Sequence, residues 1–332
     1  MIKEVRLEEE RKKVIDFLNS NDLLFEDGIE LTLYIDDEDG NILATISKEG
    51  KTIKCLAVDE RYRSENYAST LVSEMINRLY NEGCYHQIVY TKKIYTDLFV
   101  NLGFEIIVST NETAILEHGI TNIKEVIKKL RKQIESKLDC NLDKVKVNSL
   151  VINANPFTLG HLELAEEALK TCDYLIVFLL EENKSYYSFK ERLSLAYISL
   201  QMYDNVIVIP STDYIISSST FPTYFLKEET KKNKEWMETD VYIFKEYFMK
   251  LLNIKYRYVG EEKEPIMVDY NNTLRHLLGD NLVVIPRLDE ISASTVRKYV
   301  QNGEVDKALE YIPQASKQMF RMISIEKVYG NK

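Results

Sequence analysis

The stretch that most constrains this chain runs from residue 144 to residue 171. Residues 144–152 alternate and then turn apolar, the pattern of a strand that enters a core. Leu162, Ala165, Ala168 and Leu169 then fall on one face of a helix that reaches about residue 171. Between them Asn153-Ala154-Asn155-Pro156-Phe157-Thr158-Leu159-Gly160 forms a short turn punctuated by Pro156 and Gly160. A strand, a tight turn and a helix start make an anion site, because unpaired N–H groups and the positive end of the helix dipole face the turn. His161 stands at that mouth and can donate hydrogen bonds to a phosphate. A lone histidine at such a junction is more often a packed core residue. The whole turn argues for the site.

A second stretch has matching chemistry. In Ile291-Ser292-Ala293-Ser294-Thr295-Val296-Arg297, Ser294 is a natural N-cap for a helix beginning at residue 295. The hydroxyls of Ser292 and Ser294 and the nearby amides suit phosphate oxygens. Arg297, one turn on, is a planar fork that fits a bidentate phosphate contact. Alone, Arg297 would read as a surface arginine near a cap. The first stretch resembles the signature turn of the HIGH-type nucleotidyltransferases in its Thr-x-Gly-His form, and the second resembles their second motif. The two lie in the right order, roughly 130 residues apart, which is far more specific than either alone. Over essentially its whole length the chain is similar to the citrate lyase ligase family.

Bulk properties set the outer limits. A chain of 332 residues is long enough for two domains with sizeable cores. It carries 43 basic against 53 acidic residues, a net charge of −10, and no basic stripe, so no nucleic-acid surface is expected. The first residues are charged and lack a signal-peptide core. The longest apolar run, 174–180, has strand length and cannot span a bilayer. Cys55, Cys84, Cys140 and Cys172 show no metal or redox spacing and read as reduced thiols. The expected location is cytoplasmic, with no membrane partner.

The fold class expected is α/β in two parts. Residues 1–119 read as a first domain: a helix at 11–18, a hairpin of 30–35 with 42–47, a strand at 53–58, a helix at 69–80, a strand at 87–91, a helix at 95–101, and 102–107 closing the unit. This order resembles the GNAT-type N-acetyltransferase fold, in which a Gly-rich turn cradles the pyrophosphate of coenzyme A. Here that turn is Arg63-Ser64-Glu65-Asn66-Tyr67-Ala68, where the family pattern has Arg-Gly-x-Gly-x-Ala. Glycines let backbone approach phosphate, and Glu65 adds charge of the wrong sign. The domain is therefore expected to lack acetyltransfer chemistry and to hold the coenzyme A-like arm of a partner protein. Residues 120–145 read as a connecting helix, apolar at Ile123, Val126, Ile127, Leu130 and Ile134.

Residues 146–332 alternate strand and helix, as a doubly wound, Rossmann-like parallel sheet does. Ser188 and Glu191 fit a capping box for a helix to about residue 202. Lys184, in the loop after the second strand, sits where open α/β sheets bind ligands; a solvated lysine is the equal alternative from position alone. Residues 217–227 look too polar and too punctuated for a core, and resemble a characteristic segment of the ligase family. Further strands are expected at 205–209, 256–259 and 282–285, with a helix at 240–252. Gly260 would let a flat base lie against backbone, while Glu261 and Glu262 read as an acidic loop.

The resemblance implies AMP-forming activation of acetate by ATP with Mg²⁺, then acetylation of the prosthetic-group thiol on the acyl-carrier subunit of citrate lyase. His161 and Lys184 would serve the α-phosphate, and Ser292, Ser294 and Arg297 the leaving pyrophosphate. Asn155, Phe157, Thr158, Gly160, Gly260 and Thr295 would line the nucleotide, and no protein-only metal site is expected. Two other functions stay open: an adenylyltransferase for a small phosphorylated acceptor, and a non-catalytic regulator that binds the carrier.

Overall fold

The computed structural model describes the chain except residues 183–184, 218–220, 223, 227, 287–291 and 331–332, and the side chains of residues 229 and 231. The chain forms two compact units, residues 1–126 with 221–239, and residues 127–220 with 240–332.

The first unit is a mixed α/β sheet. Its strands are β1 (Ile2–Glu4), β2 (Leu31–Asp36), β3 (Ile42–Glu49), β4 (Thr52–Val58), β5 (His86–Lys92), β6 (Glu105–Ser109) and β7 (Thr113–Gly119), in the order β1-β2-β3-β4-β5-β7-β6. Every pairing is antiparallel except β4 with β5. The β2–β3 hairpin closes because the Asp37 carboxylate accepts the N–H groups of Asp39 and Asn41, and Gly40 takes φ 79°. Helix α1 (Glu8–Ser20) precedes β2, α2 (Tyr67–Asn81) joins β4 to β5, and α3 (Thr96–Asn101) follows β5. Leu71, Val72, Met75 and Leu79 form one stripe of α2 and bury it against Leu33, Ile46 and Ile53 of the sheet. Each such side chain contributes about 1.5–3 kcal/mol when fully buried. Two strands lay outside the reading of the sequence, β1 and β7, and β7 inserts itself between β5 and the edge strand β6.

The boundary between units falls inside α4 (Ile123–Leu138), within the stretch read as the connection. The second sheet is wholly parallel: β8 (Val147–Ile152), β9 (Tyr174–Leu179), β10 (Val206–Pro210), β11 (Ile254–Gly260) and β12 (Leu282–Ile285), ordered β10-β9-β8-β11-β12. Its helices are α5 (Leu159–Leu169), α6 (Phe189–Leu200), α8 (Pro265–Leu278), α9 (Ala293–Gln301), α10 (Val305–Ala308) and α11 (Lys317–Tyr329). α7 (Glu229–Ile243) begins in the first unit and continues as a π-helical stretch, Phe244–Met249, of the second. The capping box on α6 forms as read: Glu191 accepts the Ser188 N–H at 2.7 Å. One face of the sheet packs Ile152, Leu175, Val177 and Tyr258 with Ala165 of α5, Leu195 of α6 and Val300 of α9. On β9, Phe178 meets Phe244 and Phe248 edge-on. Among the described residues no helix is long and apolar enough to cross a membrane.

One expectation is corrected. Within residues 217–227, which read as too polar and too punctuated for a core, Phe221, Tyr224, Phe225 and Leu226 are buried in the first unit. Burial of three aromatic rings outweighs the polar residues around them. Ser218, Ser219, Thr220, Thr223 and Lys227 lie outside the described residues.

Candidate active site

From β8 the chain steps to β9 and β10 on one side, then returns to β11 on the other. That reversal leaves a crevice at the carboxyl ends of β8 and β11. The pairing of Tyr258 with Leu150 brings both strands to the same edge. β8 thus delivers residues 153–158 to the crevice, and β11 ends there at Gly260.

The first motif is fixed from within. Ala154 takes a left-handed backbone, φ 48°, and the Asn155–Pro156 bond is cis. Phe157 and Thr158 are buried. Thr158 caps α5, and its backbone N–H donates to His161 Nδ1 at 3.1 Å, with the Thr158 hydroxyl 2.8 Å from the same nitrogen. A backbone N–H can only donate, so Nδ1 accepts and Nε2 carries the ring proton. The Phe157 ring lies 5.3 Å from the imidazole. His161 is half-buried, in the first turn of α5 beside Gly160. It is a donor held at a helix start, not an enclosed core residue.

The second motif reaches the first. Arg297 Nη1 donates to the Asn155 carbonyl at 2.6 Å, across 142 residues of sequence. Among the described residues the guanidinium makes no other hydrogen bond, which leaves nitrogens for an anion. Burial pulls Arg297 below the usual arginine range, against the opposing pull of Tyr187 and Glu264. The cation is short of hydration, so a phosphate would meet a strengthened field. The cap differs from its expected place. Ser292, not Ser294, caps α9, accepting the Thr295 N–H at 3.0 Å, and the helix begins at Ala293. Its hydroxyl also lies 2.9 Å from that of Ser294 and 2.8 Å from that of Thr295. Three hydroxyls therefore cluster at this helix start.

Reading the sequence alone missed Arg192, which ties the crevice together. It is fully buried, and donates to the carbonyls of Asn153 (2.7 Å), Leu180 (3.0 Å), Glu182 (2.7 Å) and Tyr187 (3.2 Å) and to Asn153 Oδ1 (2.9 Å). Burial lowers its pKa, against the pull of Glu182. Its only sequence signal is an arginine at an inward position of an amphipathic helix. Asn153 Nδ2 also donates to Glu182 at 2.8 Å, and Ser185 to the same carboxylate oxygen at 2.6 Å. The Tyr187 N–H donates to the Asn155 side chain at 3.0 Å. Lys184 itself lies outside the described residues; its neighbours Glu182 and Ser185 are fastened to the first motif.

At the far wall, Gly260 leaves room for a ligand. A Cβ there would meet no atom within 4 Å, while Asn271 Nδ2 holds the Gly260 carbonyl at 3.0 Å. Open space beside a fixed backbone fits a flat base, and the helix starts of α5 and α9 with His161 and Arg297 fit a polyphosphate. Among the described residues no cluster of three or more His, Cys, Asp or Glu could hold a metal ion.

Residues 147–320 match the family model described as the citrate lyase ligase C-terminal domain. The [citrate [pro-3S]-lyase] ligase of Haemophilus influenzae is 33% identical over 328 residues, covering 94% of this chain and 96% of that protein. The Escherichia coli protein of the same name is 31% identical over 317 residues, 91% of this chain and 87% of that one. Among solved structures, an acetyltransferase of the GNAT family from Staphylococcus aureus covers 36% of this chain and 100% of its own at 14% identity and a TM-score of 0.31, too distant to bear on function. With its two motifs joined at the switch point and a family match over more than half its length, the chain belongs to the citrate lyase ligase family.

Proposed function

We propose that the protein is an AMP-forming acid–thiol ligase that activates acetate with ATP and acetylates the coenzyme A-derived thiol of the citrate lyase acyl-carrier subunit. The observation that carries this reading is the Arg297–Asn155 hydrogen bond, which unites an anion-binding helix start with a second cluster of phosphate-type donors. An acetate oxygen attacks the α-phosphorus of ATP, the bond to the bridging oxygen breaks, and pyrophosphate leaves. The carrier thiolate then attacks the acetyl carbonyl carbon and AMP departs.

His161 Nε2–H and Lys184 serve the α-phosphate, where charge develops. Arg297, Ser292, Ser294 and Thr295 hold the departing pyrophosphate; Asn155, Phe157, Thr158 and Gly160 shape the turn, and Gly260 receives the base. The work is positioning and charge stabilisation. Mg²⁺, arriving with the triphosphate, would neutralise part of its charge. Residues 120–145 connect, and residues 146–332 carry the nucleotide chemistry. Residues 1–119 act without acetyltransfer chemistry and present the carrier's arm; Ser64 and Glu65 stand exposed ahead of α2, where bare backbone would be needed to grip a pyrophosphate.

The deciding experiment is mass spectrometry of the thiol-form carrier incubated with the protein, ATP, Mg²⁺ and acetate. One added acetyl group is expected, with labelled pyrophosphate exchanging into ATP only when acetate is present. Release of ADP and phosphate would refute the scheme. An AMP left on a small phosphorylated acceptor would point to the adenylyltransferase instead.

A further inference from the structure

The loop after β9 carries a carboxylate into the crevice. Glu182 follows Leu179, the last residue of β9, by three positions and is half-buried beside the first motif. Its Oε1 accepts Asn153 Nδ2 at 2.8 Å and the Ser185 hydroxyl at 2.6 Å, as an ionised carboxylate does. The Asn153 amide is itself oriented, because Arg192 Nη1 donates to its Oδ1 at 2.9 Å. Arg192 Nη2 also donates to the Glu182 carbonyl at 2.7 Å, so backbone and carboxylate are both placed.

A fixed anion conflicts with the rest of a crevice built from donors for phosphate. The strand order puts β11 with Gly260, and β12 with the second motif after it, on one side of β8; β9 and Glu182 lie on the other. An acid arriving on the side away from the base would therefore meet a carboxylate as well as a phosphate, and all three repel. Arg192 does not cancel that charge directly. Its donors go to four carbonyls and Asn153 Oδ1, and it feels Glu182 only through space. A hard divalent cation resolves the conflict, since Mg²⁺ is held by one or two carboxylates together with substrate phosphates and water. That donor set needs no cluster of three protein ligands, and none exists among the described residues. Ligating carboxylates are themselves oriented by hydrogen bonds, and here both donors meet the same oxygen, Oε1.

We propose that Glu182 is the protein's own ligand for the Mg²⁺ that accompanies ATP, through Oε2, with Asn153 and Ser185 as the residues that position it. The proposal rests on the ligase reading above, in which the nucleotide is ATP. Glu182 then decides where the positive charge stands, on the side of the phosphate from which the acid comes. A Glu182 that only tied its loop to the first motif would behave differently: its charge would oppose ATP whether or not metal was present.

The test uses the full chain and ATP as the probe, titrated calorimetrically without acetate so that no adenylate forms. Wild type and Glu182→Gln are compared with and without Mg²⁺, each checked for native circular dichroism. Glutamine keeps the shape and an accepting Oε1, and loses the charge. In wild type Mg²⁺ should tighten ATP binding roughly tenfold or more, and in Glu182→Gln that gain should fall below about threefold. Metal-free ATP should bind the variant at least as tightly as wild type, because a repelling charge is gone. Mn²⁺ in place of Mg²⁺ gives a second readout: with ATP present, its electron spin resonance spectrum should differ between the two proteins. If Glu182→Gln does not fold, Ser185→Ala decides, since it keeps the carboxylate and should lower the Mg²⁺ gain alone. A parallel loss of both affinities with the Mg²⁺ gain kept, unchanged titrations, or identical Mn²⁺ spectra overturn the proposal and leave the ligase reading in place. ATP that bound wild type under neither condition would remove the ligase reading and this ligand with it.

Discussion

His161 acts through two nitrogens with different duties. Nδ1 is spent on the Thr158 N–H, which fixes the ring and sends the proton to Nε2. Replacing His161 with Ala should therefore cut turnover about a hundredfold, the scale of removing one preorganised donor from developing charge. The thermal transition should move little; its collapse together with activity would mean that the ring is chiefly structural. Arg297→Lys keeps the charge but loses the fork, and should raise the KM for ATP more than it lowers kcat. At this scale the motif residues were legible, because Pro156, Gly160 and His161 signal their geometry locally. Arg192 was not, since its partners are backbone carbonyls that only the fold assembles. Part of the alkaline pH dependence of the first unit should trace to Cys55, alongside Tyr34 and Tyr224, whose hydroxyl pKa values burial also raises. Burial holds the Cys55 thiol to about 12, against an ordinary value of 9.0. Its folded pKa is raised, so its contribution is complete below pH 9 and is lost as pH climbs from 9 towards 12, at up to about 1.4 kcal/mol per pH unit. The difference in denaturant stability between wild type and Cys55→Ala, followed across that range, should show this slope; parallel curves would deny it.

Elements were easier to read than their ends. β8, β9, β12 and α6 sit within a few residues of their expected bounds, since continuous apolar runs and a capping box are strong local signals. The helix expected at 240–252 begins at Glu229 instead, because its first turns belong to a different unit from its last and carry no single apolar stripe. The shift from Ser294 to Ser292 as the cap of α9 has a similar cause: both serines are good caps, and the backbone around them decides. The loop after β9 depends on Arg192 of α6, which satisfies four carbonyls in a dry setting. Arg192→Leu would strand those carbonyls, at about 1–3 kcal/mol for each one that water cannot reach. A loss of about 3 kcal/mol or more in denaturant unfolding is expected, with Arg192→Lys in between. A loss under about 0.5 kcal/mol would show that the loop holds itself.

At the level of the molecule, the two units are not simple successive blocks. The first includes residues 221–239, whose Tyr224 bonds to Tyr90 and whose Glu235 bonds to the buried Thr110. No local signal could have revealed this: the partners lie 134 and 125 residues away, and residues 217–227, with three serines, two threonines and one proline, look too polar for a core from sequence alone. The consequence is testable by truncation. A chain starting at residue 127 would lose the seat of Phe221, Tyr224, Phe225, Leu226, Trp236 and Met237, all buried in the intact protein. Aromatic residues bury about 150–250 Å² each, so the exposed patch would exceed what soluble monomers usually tolerate. That truncated chain should aggregate, as size-exclusion chromatography would reveal. A second version, in which a Gly- and Ser-rich linker also replaces residues 221–239, should stay monomeric and keep acetate-dependent pyrophosphate exchange, because every residue assigned to the nucleotide lies in the other unit. A monomeric, active chain from 127 to 332 with residues 221–239 intact would mean that this segment does not depend on the first unit for its burial.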